Sequence, residues 1–253
     1  MTRPLVIAHR GASGERPENT LSAYELAISQ KADMIEIDLH LSRDGVVMIH
    51  HDASLERLGG QGEIREHSAA ELAELDAAPG STGSERIPTL PDVLDRLGDR
   101  VELNLEIKAG ATEETYDGIE EIAIAAVEER GLLSRMLFSS FYDPVLERLR
   151  NLSRAARLAV LVSPRAPRRV LQRARKVEAE AINPHTRLVT GPFVRRAHAE
   201  GLRVFPYTED DPAGMTRLLD LGVDGIITNH PDRLRRIVDE RFPSMPDDAD
   251  ATA

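Results

Sequence analysis

Met34-Ile35-Glu36-Ile37-Asp38-Leu39-His40 decides the fold. As a strand of period two it sets Glu36, Asp38 and His40 on one face and Ile35, Ile37 and Leu39 on the other. Parallel strands sandwiched between helical layers read instead as unbroken apolar runs. A polar face on such a strand makes sense where it lines the mouth of a barrel. Val101-Glu102-Leu103-Asn104-Leu105-Glu106-Ile107-Lys108 repeats the pattern, with Asn104, Glu106 and Lys108 sharing a face.

Upstream, Leu5-Val6-Ile7-Ala8 reads as a short buried strand that stops at His9-Arg10-Gly11. Pro17-Glu18-Asn19-Thr20 then opens a helix over residues 21–30, with Asn19-Thr20 as its cap. Arg43-Asp44-Gly45 is a turn signal, and Val46 to His50 forms a hairpin with the second strand, ending at His50-His51-Asp52. Residues 53–89 are polar, with glycines at 59, 60, 62, 80 and 83 and short helical fragments such as 69–75. They read as an insertion in the main fold. Thr89 is the expected cap of a helix over 90–97.

Beyond Lys108 the chain alternates regularly. Helices are expected over 113–129, 143–151, 167–175, 191–200, 212–221 and 231–240, with strands at 136–139, 158–162, 179–183, 202–205 and 224–228. Counting those at 5, 34 and 101, eight strands alternate with helices. That predicts one α/β domain over residues 1–241, a TIM (β/α)8 barrel, for which about 250 residues is typical. Residues 242–253 read as a disordered acidic tail.

Composition narrows the function. With 253 residues, 41% hydrophobic and no Trp, the core must be filled by aliphatic side chains. The net charge of −11 disfavours nucleic acid as a partner. It leaves room for a phosphate-containing small molecule in a locally positive pocket. The absence of cysteine excludes thiolate metal sites and cysteine nucleophiles. Met1-Thr2-Arg3-Pro4 runs straight into the first strand without an apolar leader, and no apolar run reaches the roughly 18 residues of a membrane span. A cytoplasmic protein without stable membrane insertion is expected.

Barrel strands end at one mouth. His9, Arg10, Glu36, Asp38, His50 or His51, Glu106 and Lys108 therefore converge there, with Asn229 a further candidate. Each has a bland reading taken alone: a strand-end carboxylate is usually a cap or an ion-pair partner, and Lys108 could simply neutralise Glu106. Taken together, three carboxylates repel unless a cation joins them, and oxygen-rich ligation suits Mg²⁺ or Ca²⁺ better than Zn²⁺. Arg10 and Lys108 beside such a cation point to a phosphate. Two histidines can serve as general acid and base. His50 and His51 are adjacent, so only one can face the mouth of an extended strand.

These residues resemble the glycerophosphodiester phosphodiesterase family. His9-Arg10-Gly11 with Pro17-Glu18-Asn19-Thr20 is similar to its opening signature. Glu36-Ile37-Asp38, Arg43-Asp44-Gly45, His51-Asp52, Leu105-Glu106-Ile107-Lys108, Ser139-Ser140-Phe141 and Gly222-Val223-Asp224-Gly225-Ile226-Ile227-Thr228-Asn229 continue it in order. The resemblance implies a TIM barrel with a small insertion after the second strand. It implies one divalent cation, usually Mg²⁺ or Ca²⁺ with Mn²⁺ as a variant, on Glu36, Asp38 and Glu106. It also implies a catalytic pair His9 and His51, and phosphate contacts from Arg10 and Lys108. One stretch departs from the family: where many relatives end the seventh strand in Trp-Thr-Val-Asn, this chain has Phe205-Pro206-Tyr207-Thr208-Glu209. Tyr207 and Glu209 are therefore candidates for the substrate pocket.

The implied reaction is metal-dependent hydrolysis of a glycerophosphodiester to sn-glycerol 3-phosphate and an alcohol, with His9 as base and His51 as acid. A lysophospholipase D-like activity is the nearest rival, although the polar insertion is ill suited to an acyl chain. A non-catalytic phosphoester-binding barrel is the third reading, which would be favoured by loss of a histidine or a carboxylate; none is missing.

Overall fold

The computed structural model describes residues 3–81 and 83–243, so the tail expected at 242–253 lies, from residue 244 onward, outside the described residues. In chain order the strands are β1 (Leu5–His9), β2 (Met34–Leu41), β3 (Val47–Ile49), β4 (Glu102–Ile107), β5 (Met136–Ser140), β6 (Arg157–Val162), β7 (Ala181–Pro184), β8 (Arg203–Val204) and β9 (Gly225–Thr228). The parallel order is β8-β7-β6-β5-β4-β2-β1-β9, with β3 antiparallel on β2 as the hairpin reading expects.

First and last strands meet, Leu5 opposite Gly225 and Ala8 opposite Thr228. On the remaining seam β8 is only two residues long, because Pro206 has no N–H to extend a ladder. The gap is bridged all the same. Asp224 N donates to Val204 O (3.0 Å), Ile227 N to Pro206 O (2.9 Å) and Glu209 N to Ile227 O (3.1 Å). The eight parallel strands therefore close into a TIM barrel.

Two apolar shells hold it. Ile7, Met34, Leu137, Ala159, Phe205 and Ile227 fill the floor of the barrel from six different strands or strand extensions. The opposite faces of the strands, such as Ile35, Ile37, Leu39, Leu103 and Leu105, pack outward on the helices. One step of period two above the floor puts polar groups inward: His9 above Ile7, and Glu36 then Asp38 above Met34.

The helices are α1 (Leu21–Ser29), α2 (Ala69–Leu72), α3 (Leu90–Leu97), α4 (Ile119–Glu128), α5 (Asp143–Leu152), α6 (Val170–Lys176), α7 (Gly191–Ala199), α8 (Pro212–Asp220) and α9 (Pro231–Arg241). Thr89 caps α3 as expected, accepting from Asp92 N while the Asp92 carboxylate answers Thr89 N. At α1 the cap is Thr20, which accepts from Ala23 N at 3.2 Å and leaves Asn19 free for other work. Residues 53–89 carry α2 and two short 3-10 turns, and Met48, Leu55, Leu58, Ile64, Leu72 and Ile87 give them a small core of their own.

The helix expected over 113–129 begins only at Ile119. Glu113 (φ 63°) and Gly118 (φ 85°) are both left-handed, which breaks a helix at those points. Residues 109–118 instead form a loop, with Gly110 N donating to Glu114 O. Among the described residues no helix is long and apolar enough to cross a membrane.

Candidate active site

Strand register assembles the site. His9 lies opposite Glu36 across β1 and β2, and Asp38 lies opposite Glu106 across β2 and β4. Carboxylate oxygens of Glu36, Asp38 and Glu106 come within 4.8 Å of one another, and all three residues are buried. His9, Arg10, Glu36, His51, Glu106 and Lys108 line one cavity of about 200 Å³, walled on its other side by Phe141, Leu161, Tyr207 and Ile227. Asp38 sits just beneath, 1% exposed and bonded to residues of the wall.

The electrostatics of the trio argue for a cation. Burial raises Glu36 well above the usual carboxyl range, and the Asp38 and Glu106 charges raise it further. Glu106 is raised by burial and by Asp38 despite the nearby Lys108. Burial would raise Asp38 too, but Lys108 and Arg10 outweigh it and hold that carboxyl far below its ordinary value. Lys108 Nζ donates to Glu106 Oε1 (2.8 Å) and lies 3.3 Å from Asp38 Oδ1. Glu36 Oε1 is buried with no hydrogen-bond partner among the described residues. The Lys108 and Arg10 side chains thus pair with Asp38 and part of Glu106, Glu36 Oε2 takes the Arg10 backbone N–H (3.1 Å), and a hard divalent cation fits that all-oxygen set.

His9 is oriented from behind. Asn229 Nδ2 donates to Asp210 Oδ2 (2.7 Å), which fixes the amide so that its oxygen faces the imidazole. Asn229 Oδ1 lies 2.7 Å from His9 Nδ1, so Nδ1 carries the proton and Nε2 the lone pair. That Nε2 is 3.9 Å from Glu36 Oε2. Burial lowers the His9 pKa to about 4, aided by the Arg10 charge, so the ring is neutral near pH 7.

His51, not His50, faces the cavity. Its Nδ1 is 2.8 Å from Asp52 Oδ1. Asp52 also pairs with Arg57 Nε (3.0 Å), whose guanidinium reaches Glu18, and Glu18 accepts from Arg10 (2.8 Å). His50 turns instead toward a separate cleft beside Pro17 and Leu58. His40, on the same face of β2 as the two carboxylates, lies within bonding distance of the His51 carbonyl oxygen (3.1 Å) through Nε2 and of the Tyr116 hydroxyl through Nδ1.

The loop after β1 carries strain at the site. Arg10 and Asn19 both have φ of 57°, the left-handed region. Asn19 Nδ2 donates to Asp38 Oδ2 (2.8 Å), and its Oδ1 accepts from Tyr24 (2.9 Å). Gly11 follows at φ 85°, with the backbone of Ala23 so close that a Cβ would lie 2.7 Å from it.

Of the two pocket candidates, Tyr207 lines the cavity and Glu209 does not. Its backbone N–H joins the barrel seam at Ile227, and its carboxylate turns away to accept from Asp211 N (3.2 Å) beside Gly214 at the start of α8. Asn19, Tyr116, Asp210 and Arg57 escape sequence reading. Asn19 looks like a helix cap, Tyr116 falls in a stretch with helical composition, and Asp210 and Arg57 are joined to the site only by folding.

Fold and site together define a barrel hydrolase built for a phosphoester. Residues 9–233 match the model of the glycerophosphoryl diester phosphodiesterase family. A glycerophosphodiester phosphodiesterase of Bacillus subtilis is 33% identical over 93% of this chain and 86% of its own. One from Caldanaerobacter subterraneus is 34% identical over 93% and 98%. Among solved structures, an Oleispira antarctica phosphodiesterase in complex with the product sn-glycerol-3-phosphate superposes with a TM-score of 0.82 at 32% identity, covering 93% of this chain and 97% of that one. The chain belongs to the glycerophosphoryl diester phosphodiesterase family and is a phosphodiester hydrolase on a TIM barrel.

Proposed function

We propose that the protein hydrolyses glycerophosphodiesters to sn-glycerol 3-phosphate and an alcohol. The observation that carries this reading is the pairing of a neutral, oriented His9 with a second histidine, His51, across a cavity walled by Arg10, Lys108 and buried carboxylates. The glycerol phosphate held by the Oleispira relative supports the product assignment.

Glu36, Asp38 and Glu106 would hold a divalent cation, Mg²⁺ or Ca²⁺. When bound, it supplies Lewis-acid polarisation of a phosphoryl oxygen. Arg10 and Lys108 keep N–H donors beyond those spent on Glu18 and Glu106, and these stabilise charge on the phosphoryl oxygens. His9 Nε2 takes the proton of the attacking hydroxyl, either of water or of the substrate's own glycerol 2-hydroxyl. As the new P–O bond forms, the bond to the leaving alcohol breaks and His51 gives that oxygen a proton. Asp52 holds His51 Nδ1, so the other ring nitrogen is presented to the cavity. If the 2-hydroxyl attacks, water then opens the cyclic phosphate by the reverse proton transfers.

Replacing each histidine tests the reading. His9→Ala and His51→Ala should each cut release of sn-glycerol 3-phosphate from glycerophosphoethanolamine by about 100-fold or more. Near wild-type turnover in both would overturn the two-histidine mechanism.

A further inference from the structure

The cavity between His9 and Tyr207 is about 200 Å³, below the roughly 300–1,000 Å³ of pockets that enclose drug-sized ligands. A diester with an extended alcohol side reaches beyond a cavity of that size. Phe141 forms part of its wall and also part of the wall of an open cleft of about 730 Å³ between the loops that follow β5 and β6. The cleft beside Glu18 and Arg57 shares no lining residue with the cavity. The cleft past Phe141 thus adjoins the cavity, with that residue as their shared wall.

That outer cleft is basic on an acidic protein. Arg165, Arg168 and Arg173 line it, and Asp143 is its carboxylate. Asp143 is already taken by Arg173 Nε at 2.6 Å, and Arg173 also donates to Phe141 O, which fixes the shared wall. Arg165 and Arg168 are exposed and have no carboxylate partner among the described residues. Glu113 is the other acid nearby, close enough to Tyr142 to act on its hydroxyl. Two guanidinium groups without a counter-charge among the described residues, set in the cleft that adjoins the cavity, suit an anion and repel a cationic headgroup.

We propose that the cleft past Phe141 is a subsite for the alcohol side of the substrate, and that Arg165 and Arg168 select diesters whose alcohol carries a further anionic group. The inference rests on the glycerophosphodiesterase reading and names its substrate class. It is neutral as to whether the second charge is a phosphate or a carboxylate.

The test compares glycerophosphoglycerol, with one phosphate, and bis(glycerophospho)glycerol, with two, as kcat/KM per scissile bond. The wild type should favour the second by about five- to tenfold at low salt, and the advantage should shrink at high salt. In the double variant Arg165→Gln with Arg168→Gln the ratio of the two values should fall to about one. Adding glycerophosphoserine as a third substrate reports whether a carboxylate serves as well as a phosphate. Equal turnover of the one- and two-phosphate diesters by the wild type, or an advantage that survives in the double variant, overturns the subsite. Failure to hydrolyse either diester while glycerophosphoethanolamine is turned over overturns the subsite alone, and failure on both diesters and glycerophosphoethanolamine overturns the reading beneath it as well.

Discussion

Asn229 Oδ1 stands 2.7 Å from His9 Nδ1, and the amide is locked in that sense by Asp210. An amide oxygen leaves the imidazole neutral while fixing which nitrogen is basic. A carboxylate in its place would favour the charged ring. Asn229→Ala should therefore cost about 10- to 100-fold in kcat with a much smaller change in KM, because the base is misoriented rather than removed. Steady-state kinetics on glycerophosphoethanolamine decide this. Unchanged kcat would mean that His9 needs no such support.

Asn19 holds Asp38 from within a left-handed backbone. Asn19→Ala loses both the hydrogen bond and the side chain that tolerates that conformation, and should destabilise the fold by about 1–3 kcal/mol. Asn19→Gly restores the backbone freedom alone and should recover part of that loss. Denaturant unfolding of the two variants separates the contributions.

Tyr116 reaches His40, which meets the carbonyl of His51. Tyr116→Phe removes one bond from a buried chain and should cost about 1 kcal/mol of stability, with a modest fall in kcat. A fall in stability with wholly unaltered kinetics would show that the chain does not reach His51.

Besides His9, two further histidines with pKa values lowered by burial make stability depend on pH. Burial lowers His40 to about 3, and burial with the Arg57 charge lowers His50 to about 4. Between those values and the unfolded value near 6.5, the unfolded chain binds more protons than the folded one. The contribution of these histidines is therefore complete above about pH 6.5 and falls as pH drops toward 4 and 3, by at most about 1.4 kcal/mol per pH unit for each. Denaturant midpoints between pH 7 and pH 4 measure the slope, and His50→Asn should make it shallower. A slope unaltered by that change would contradict the assignment.

Much of this was legible in the chain because chemistry and period coincide. Glu36 and Asp38 alternate with Ile35 and Ile37 on a strand, and the mouth of a barrel accommodates that alternation in a parallel sheet. The eight strands, the β3 hairpin and the Thr89 cap follow equally local rules. Long-range partners were not legible. Nothing near Tyr116 in sequence says that it will meet His40, 76 residues away, and the helical composition around it conceals the left-handed turns at Glu113 and Gly118. Glu209 is hard to place for the opposite reason: its position in the sequence suggests the pocket, while its carboxylate accepts from Asp211 N at the start of α8.

The most direct test of the central claim is release of sn-glycerol 3-phosphate from glycerophosphoethanolamine by metal-stripped protein, before and after Mg²⁺, Ca²⁺ or Mn²⁺ is restored. The site built from Glu36, Asp38 and Glu106 predicts no release from the stripped protein, recovery with at least one of the three ions, and no recovery in Glu36→Gln. Full activity in the stripped protein, or recovery in Glu36→Gln equal to that of the wild type, would contradict it.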